Sequence, residues 1–203
     1  MRARRNKILA WTLITFGERS GQLARLMGWY TYRRMIGAAG RRRAWCLLGA
    51  TIAETAMIGP KVWMRNPKHV TIGAGSRIGG RVWIDSWGEI TIGANVLMNG
   101  EIDLLSTQHV IDHPHFKAER LSVSIGDYVW LPWKIIVLPG VNIGNYAVIG
   151  TGSVVAHDVP DYGVAVGNPA RVVKERARVE YTYIPTKVGA PPPPASTEAS
   201  PTQ

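Results

Sequence analysis

The 203-residue chain has one cysteine, Cys46, only two phenylalanines, and few acids at one end. A lone cysteine excludes an intrachain disulfide framework and points to a reducing, cytoplasmic setting. A long apolar run is also missing. Ile8 to Phe16 follows Arg2, Arg4, Arg5 and Lys7 like the start of a signal peptide, but Glu18 and Arg19 close it, with no small-residue cleavage site. It falls well short of the roughly 20 apolar residues that a spanning helix needs, so neither export nor a transmembrane span is expected. Residues 1–45 carry eleven Arg or Lys against one acid, Glu18, while the remainder carries thirteen of each sign. The net charge of +10 therefore belongs to the N-terminal segment. The main body is neutral, which argues against a basic groove for nucleic acid along it.

What is present is a beat of six. Ile125, Leu131, Val137, Ile143, Ile149 and Val155 are evenly spaced, and each is followed four places later by a small or branched residue: Val129, Ile135, Val141, Ala147, Ser153 and Val159. This period fits neither a helix nor a plain strand alternation. It marks a parallel β-helix, in which each short strand supplies one inward side chain and then turns. Gly126, Gly140, Gly144, Gly150 and Gly152 are expected at the turns, where permissive dihedrals are needed. The same beat runs earlier through Ile52 and Ile58, then Ile72, Ile78 and Ile84, then Ile92, Met98 and Leu104. Two-residue insertions fall near Asn66-Pro67-Lys68 and Trp87-Gly88, and three rungs per coil give about five coils.

The expected organisation is a basic amphipathic helical segment over residues 1–48, a β-helix over 49–176, and an extension over 177–203 that is disordered from about 185. In the first segment Leu23, Leu26, Met27 and Tyr30 share one helical face. Such a segment either caps the open end of the β-helix or lies on an anionic membrane surface. Glu175 to Ile184 reads as a short strand or helix, and the Pro-rich tail beyond it lacks the apolar residues to order itself. Trp63 and Trp83 each precede a wall position one coil apart, so they should stack on the outside and meet the N-terminal helices or a neighbouring subunit. The beat breaks between Leu104 and Ile125, so a loop over 107–121 leaves the wall. It carries His109, His113 and His115, three of the chain's five histidines. Long departures from a repeat often carry function.

The repeat, the Ser106-Thr107-Gln108-His109 loop, the restart Ile125-Gly126-Asp127-Tyr128-Val129-Trp130 and the closing Gly167-Asn168-Pro169-Ala170 together resemble the left-handed β-helix acyltransferases. Within them the chain is most similar to the colanic-acid and maltose or galactoside type of O-acetyltransferase. The resemblance spans roughly residues 49–176. It implies an all-β, left-handed parallel β-helix, a homotrimer with sites between subunits, an acetyl-CoA donor, and a carbohydrate hydroxyl acceptor in polysaccharide or glycoconjugate synthesis. A lipid-linked acceptor would suit the basic, apolar N-terminus.

The resemblance also implies roles for single residues. His109 would be the general base, since imidazole as a class ionises near neutrality and can take a hydroxyl proton as the oxygen attacks a thioester. Trp130 would sit beside donor and acceptor. The backbone N–H of Trp133 would hold the thioester oxygen, although Leu131-Pro132 departs from the family's usual Ile-Gly. Gly150, Thr151 and Gly152 would line the pantetheine arm, with Asn168, Pro169 and Ala170 at its end. Arg171 and Lys174 would meet the CoA phosphates. No metal is expected. Two alternatives stay open: a non-catalytic trimeric scaffold docked through its basic N-terminus, and a zinc enzyme of the γ-carbonic-anhydrase kind using His109, His113 and His115.

Overall fold

The computed structural model describes residues 37–187. The amphipathic helix expected on Leu23, Leu26, Met27 and Tyr30, and the tail beyond 187, lie outside the described residues.

Helix α1 (Ala38–Leu47) opens the described chain and ends at Leu48, where the backbone N–H still reaches back to Ala44 and Trp45. It packs on the first coil of a left-handed β-helix. Trp45 is fully buried in the same core cluster as Ala50, Ile52 and Ile58. Arg41 donates through Nε to the Ile58 carbonyl at 2.7 Å, and Arg42 reaches the Ile52 carbonyl at 3.4 Å. Burial lowers the Arg41 pKa. The helix thus supplies donors and an aromatic plug to strand backbone that, among the described residues, no other coil covers.

Each coil has three faces. The first is the sheet of β1 (Thr51–Ile52), β4 (Val70–Ile72), β6 (Ile90–Ile92), β10 (Val123–Ile125) and β12 (Asn142–Ile143). The other two faces form one sheet, because β5 (Arg77–Asp85), β7 (Leu97–Leu105) and β11 (Trp130–Val137) run across the second face and bend onto the third. The second face also holds β2 (Met57–Ile58), β13 (Val148–Ile149) and β15 (Gly163–Gly167). The third holds β3 (Trp63–Arg65) and β14 (Val154–Val155). Pairing between coils is parallel and in register, so Ile52, Ile72, Ile92, Ile125 and Ile143 form one inward column. Ile58, Ile78 and Met98 lead the second column, and Met64, Ile84 and Leu104 lead the third. Met64 completes the first coil, and a partial sixth coil carries Val159 and Ala165. These side chains are almost wholly buried, each contributing roughly 1.5–3 kcal/mol.

The glycines act differently from the expectation. Of the five named above, only Gly140 and Gly152 have positive φ. Gly126 and Gly144 instead sit where a Cβ would strike the coil above, at Asn145 and Asp161 respectively. The left-handed corner positions are filled by Lys61, Arg81, Glu101 and Lys134 on one edge, and by Asn95, Tyr128, Tyr146 and Tyr162 on another.

The segment after the last coil is neither the strand nor the helix expected over Glu175–Ile184. Strand β16 (Ala170–Glu175) folds back antiparallel on β15, and the chain then continues without regular pairing to a single 3-10 turn at Pro185–Lys187. Its contacts are with side chains: Tyr128, Tyr146 and Tyr162 stack along one edge at 5.3 and 4.6 Å. Arg176, Tyr181 and Tyr183 lie against that stack. Period-based reading looks for backbone repeats and has no means of finding such a strap.

Candidate active site

The departure from the wall is a hairpin. Strands β8 (Thr107–His109) and β9 (Ala118–Arg120) pair antiparallel, with Thr107 opposite Arg120 and His109 opposite Ala118. Its foot is fixed by the buried Ser106. Ser106 Oγ donates to the Asp85 carbonyl at 2.7 Å and accepts from the Gly88 N–H at 2.9 Å, and the Leu121 N–H closes on the Ser106 carbonyl at 2.8 Å. The exposed hairpin is thereby tied to the rigid wall on both sides.

His109 is exposed but oriented. Its Nδ1 lies 2.7 Å from the Phe116 carbonyl, which can only accept, so Nδ1 carries the proton and Nε2 presents a lone pair. The imidazole also stacks on the Phe116 ring, with centroids 4.4 Å apart and planes 8° from parallel. The Phe116 carbonyl thus orients the ring. His113 and His115 face each other at 5.8 Å, apart from that arrangement. Among the described residues no group of three or more His, Cys, Asp or Glu side chains converges on a possible metal position.

Most of the residues expected to hold acetyl-CoA gather at another edge of the prism, between the second and third faces, whereas Trp130 and Lys174 share one row at the opposite end of the second face. Gly152, at the left-handed corner with φ +77°, donates to the Trp133 carbonyl at 3.0 Å, so Trp133 and Gly150–Gly152 are adjacent coils of one edge. Gly167 donates to Ser153 Oγ at 3.0 Å, which brings the Gly167–Ala170 turn over the same edge. Gly150 is in close contact there: a Cβ would meet Val166 at 2.6 Å. Asn168, Pro169, Thr151 and Arg171 are exposed around this turn and Ala170 is buried, while Lys174 is exposed further along β16, opposite Val164. Pro132 is accommodated within β11, and the Trp133 ring lies over Gly100 and close to Arg81, whose guanidinium stands 5.4 Å from it. Trp130 is 40% exposed on the outer second face, paired with Leu97 and Val148.

His109 is not among them. The hairpin leaves from the far end of the third face, after Leu104 and Leu105, whereas Gly152 stands at the near end of that face. One chain therefore supplies both halves of the expected site, but a face apart.

Several residues at the hairpin foot were not singled out from the sequence. Trp87, which sequence reading placed only in a turn insertion, has the Arg65 guanidinium 5.5 Å and the Arg120 guanidinium 5.4 Å from its ring. Asp85 Oδ1 lies 3.8 Å from Arg65, beyond hydrogen-bond distance. On the outer third face Asp103 stands in register between Trp83 and Ile136, and burial raises its pKa. A shallow trough on the first face holds none of the expected site residues. Its polar groups are already used between coils, as in Ser124 Oγ to Asn142 Oδ1 at 2.6 Å and Asn145 N–H to Asp161 Oδ1 at 2.7 Å.

A triangular β-helix of six-residue rungs, interrupted by a histidine-bearing hairpin and closed by a Gly-Asn-Pro-Ala turn, defines the hexapeptide-repeat acyltransferase class. The chain is 33% identical over 171 residues to the putative colanic acid biosynthesis acetyltransferase WcaF of Escherichia coli K12, covering 81% of this chain and 94% of that protein. It belongs to that family of hexapeptide-repeat acetyltransferases. It is also 34% identical over 129 residues to the galactoside O-acetyltransferase of the same organism, a match that spans 62% of this chain but only 64% of that protein. A galactoside acetyltransferase solved in complex with coenzyme A superposes with a TM-score of 0.67 at 28% identity, over 75% of this chain and 78% of that one. No family profile matches the chain.

Proposed function

We propose that the chain transfers an acetyl group from acetyl-CoA directly to a sugar hydroxyl, with His109 as general base. The observation that carries this reading is the pinned imidazole. With Nδ1 donating to the Phe116 carbonyl, the ring is held in the tautomer whose Nε2 accepts a proton. A base so fixed takes the hydroxyl proton as the oxygen attacks the thioester carbon, and the leaving thiolate is then protonated as CoA departs. No covalent acyl-enzyme is required.

The donor, when bound, supplies the activated thioester. The residues that would hold it are Trp130, Trp133, Gly150, Thr151, Gly152 and the Asn168–Pro169–Ala170 turn, with Arg171 and Lys174 toward the phosphates. Small residues along that edge let a pantetheine arm approach the backbone. Because these groups and His109 lie a face apart, the reading includes a homotrimer in which one subunit's hairpin meets its neighbour's edge. The names of two relatives, a galactoside O-acetyltransferase and a putative colanic acid biosynthesis acetyltransferase, support reading the acceptor as a carbohydrate and the reaction as part of polysaccharide or glycoconjugate synthesis. Among the described residues no helix is long and apolar enough to cross a membrane. The reading also includes peripheral membrane contact through the basic residues 1–45, which would be lost from a still-trimeric chain that lacks them.

The test is release of free thiol from acetyl-CoA across a panel of sugars and oligosaccharides, with His109→Ala beside wild type. Acceptor-dependent release that falls by a factor of about 10²–10⁴ is expected. Release unchanged in the variant removes His109 as base, and no release with any acceptor removes the transferase reading.

A further inference from the structure

The foot of the His109 hairpin carries a charge arrangement that acetyl transfer to a neutral sugar does not need. Arg65 and Arg120 both pack on Trp87, and they come from elements far apart in sequence: the end of β3 in the first coil and the returning strand of the hairpin. Two guanidinium groups on one ring repel each other. Each also gains from the ring's electron-rich face, but by an amount too small at an exposed site to make the second charge favourable by itself. Among the described residues only Asp85 pairs with either of them, standing 3.8 Å from Arg65. Among the described residues no carboxylate pairs with Arg120. Glu119, its neighbour, accepts from Gln108 Nε2 at 3.1 Å and points to the other face of the hairpin.

The register places this surplus charge beside the base. His109 is opposite Ala118 and Thr107 opposite Arg120, so His109 and Arg120 project from the same face of the hairpin as diagonal neighbours. Diagonal residues of an antiparallel pair stand roughly 7–8 Å apart, about the length of one sugar ring. Trp87, 38% exposed, lies under the same guanidinium and offers a flat apolar surface of the kind a pyranose ring covers. Arginine forks match the geometry of carboxylate and phosphate oxygens.

We propose that the acceptor is an anionic sugar, whose carboxylate or phosphate docks on Arg65 and Arg120 around Trp87 while its hydroxyl meets His109. This rests on the transferase reading and adds the substrate class. The test compares kcat/KM for methyl glucuronide, glucose phosphate and the neutral methyl glucoside, in wild type and in the double variant Arg65→Gln/Arg120→Gln of the full chain. Wild type is expected to prefer an anionic acceptor, the preference shrinking as ionic strength rises. The double variant should lower the anionic-to-neutral ratio by at least about tenfold. The better of the two anions tells a carboxylate site from a phosphate site. A wild-type ratio at or below one, or a ratio unmoved in a variant of unchanged melting temperature, overturns the proposal. If no sugar supports thiol release, the transferase reading fails separately. Calorimetric titration of methyl glucuronide and methyl glucoside then decides the anionic site: selective binding lost in the double variant supports it, and equal or absent binding overturns it.

Discussion

Trp63 and Trp83 stack face to face on the outside of the third wall, with ring centroids 5.9 Å apart and planes 14° from parallel. The register of β3 on β5 places them one coil apart, and at the Trp63 end the stack meets the helix rather than solvent. Trp45 of the helix stands edge-on to Trp63 at 6.4 Å. The three indoles therefore join the helix to the first two coils. Trp45→Ala should cost about 3–5 kcal/mol in denaturant unfolding, because it empties a fully buried site. Trp83→Ala, at the 40% exposed end of the stack, should cost no more than about 1.5 kcal/mol. Equal costs would mean that the helix is not anchored through the indoles.

Arg176 ties the final segment to the prism. Its Nη1 donates to the carbonyls of Tyr128 and Tyr146 at 3.2 and 3.3 Å, and its guanidinium lies 3.8 Å from the centre of the Tyr181 ring. Charged hydrogen bonds of this kind contribute about 1.5–3 kcal/mol. Arg176→Ala should therefore free residues 177–187 while leaving the coils intact. Limited proteolysis would show cleavage in that segment alone, and hydrogen exchange would rise there by about tenfold or more. Protection equal to wild type would mean that the tyrosines hold the strap without the arginine.

The repeat was legible because a β-helix writes its core into the sequence at one fixed spacing. Ile52 through Val155 fall where the beat puts them, since every rung must bury one side chain or lose its stacking. The stacking of Trp63 on Trp83 follows from the same arithmetic. The Arg65–Trp87–Arg120 cluster was not legible, because it depends on the hairpin's register, which brings Arg120 of one excursion back onto a turn of the preceding coil. Nor was the orientation of His109: its partner is a backbone carbonyl, that of Phe116, which leaves no mark in the side-chain sequence. The corner glycines misled for a related reason. Gly126 and Gly144 exclude a Cβ between coils, and that need looks the same in a sequence as a need for positive φ.

Asp103 makes a test by pH. Burial among Trp83, Ile136 and their neighbours raises its pKa, so the folded chain disfavours its charged form. With a raised folded pKa the folded state holds the proton more tightly, and stability falls as pH rises above the ordinary carboxylate range. Asp103→Asn should then raise the melting temperature at pH 7 and change it less at pH 4. A lower melting temperature at pH 7 would show that the carboxylate is held by a cation instead.

The separation of His109 from the Gly150–Gly152 edge yields the sharpest test of how the site is assembled. Gly152 has positive φ, yet no atom lies within 4 Å of where its Cβ would stand. A leucine there costs about 1–2 kcal/mol of backbone strain but meets no obstruction, so the chain should still fold. Its side chain would fill the open edge where the pantetheine arm is expected, and Gly152→Leu should raise KM for acetyl-CoA strongly. His109→Ala leaves that edge intact and removes the base. If each chain built a whole site by itself, co-expressing the two variants would give two inactive proteins. If a hairpin from one subunit meets an edge from the next, a mixed trimer contains interfaces where an intact His109 faces an intact Gly152. Random mixing makes such interfaces about one in four, so activity should return to roughly a quarter of wild type. Thiol release from the co-expressed variants, against each variant alone, measures this. Recovery near a quarter establishes sites shared between subunits, and none would return the whole chemistry to a single chain.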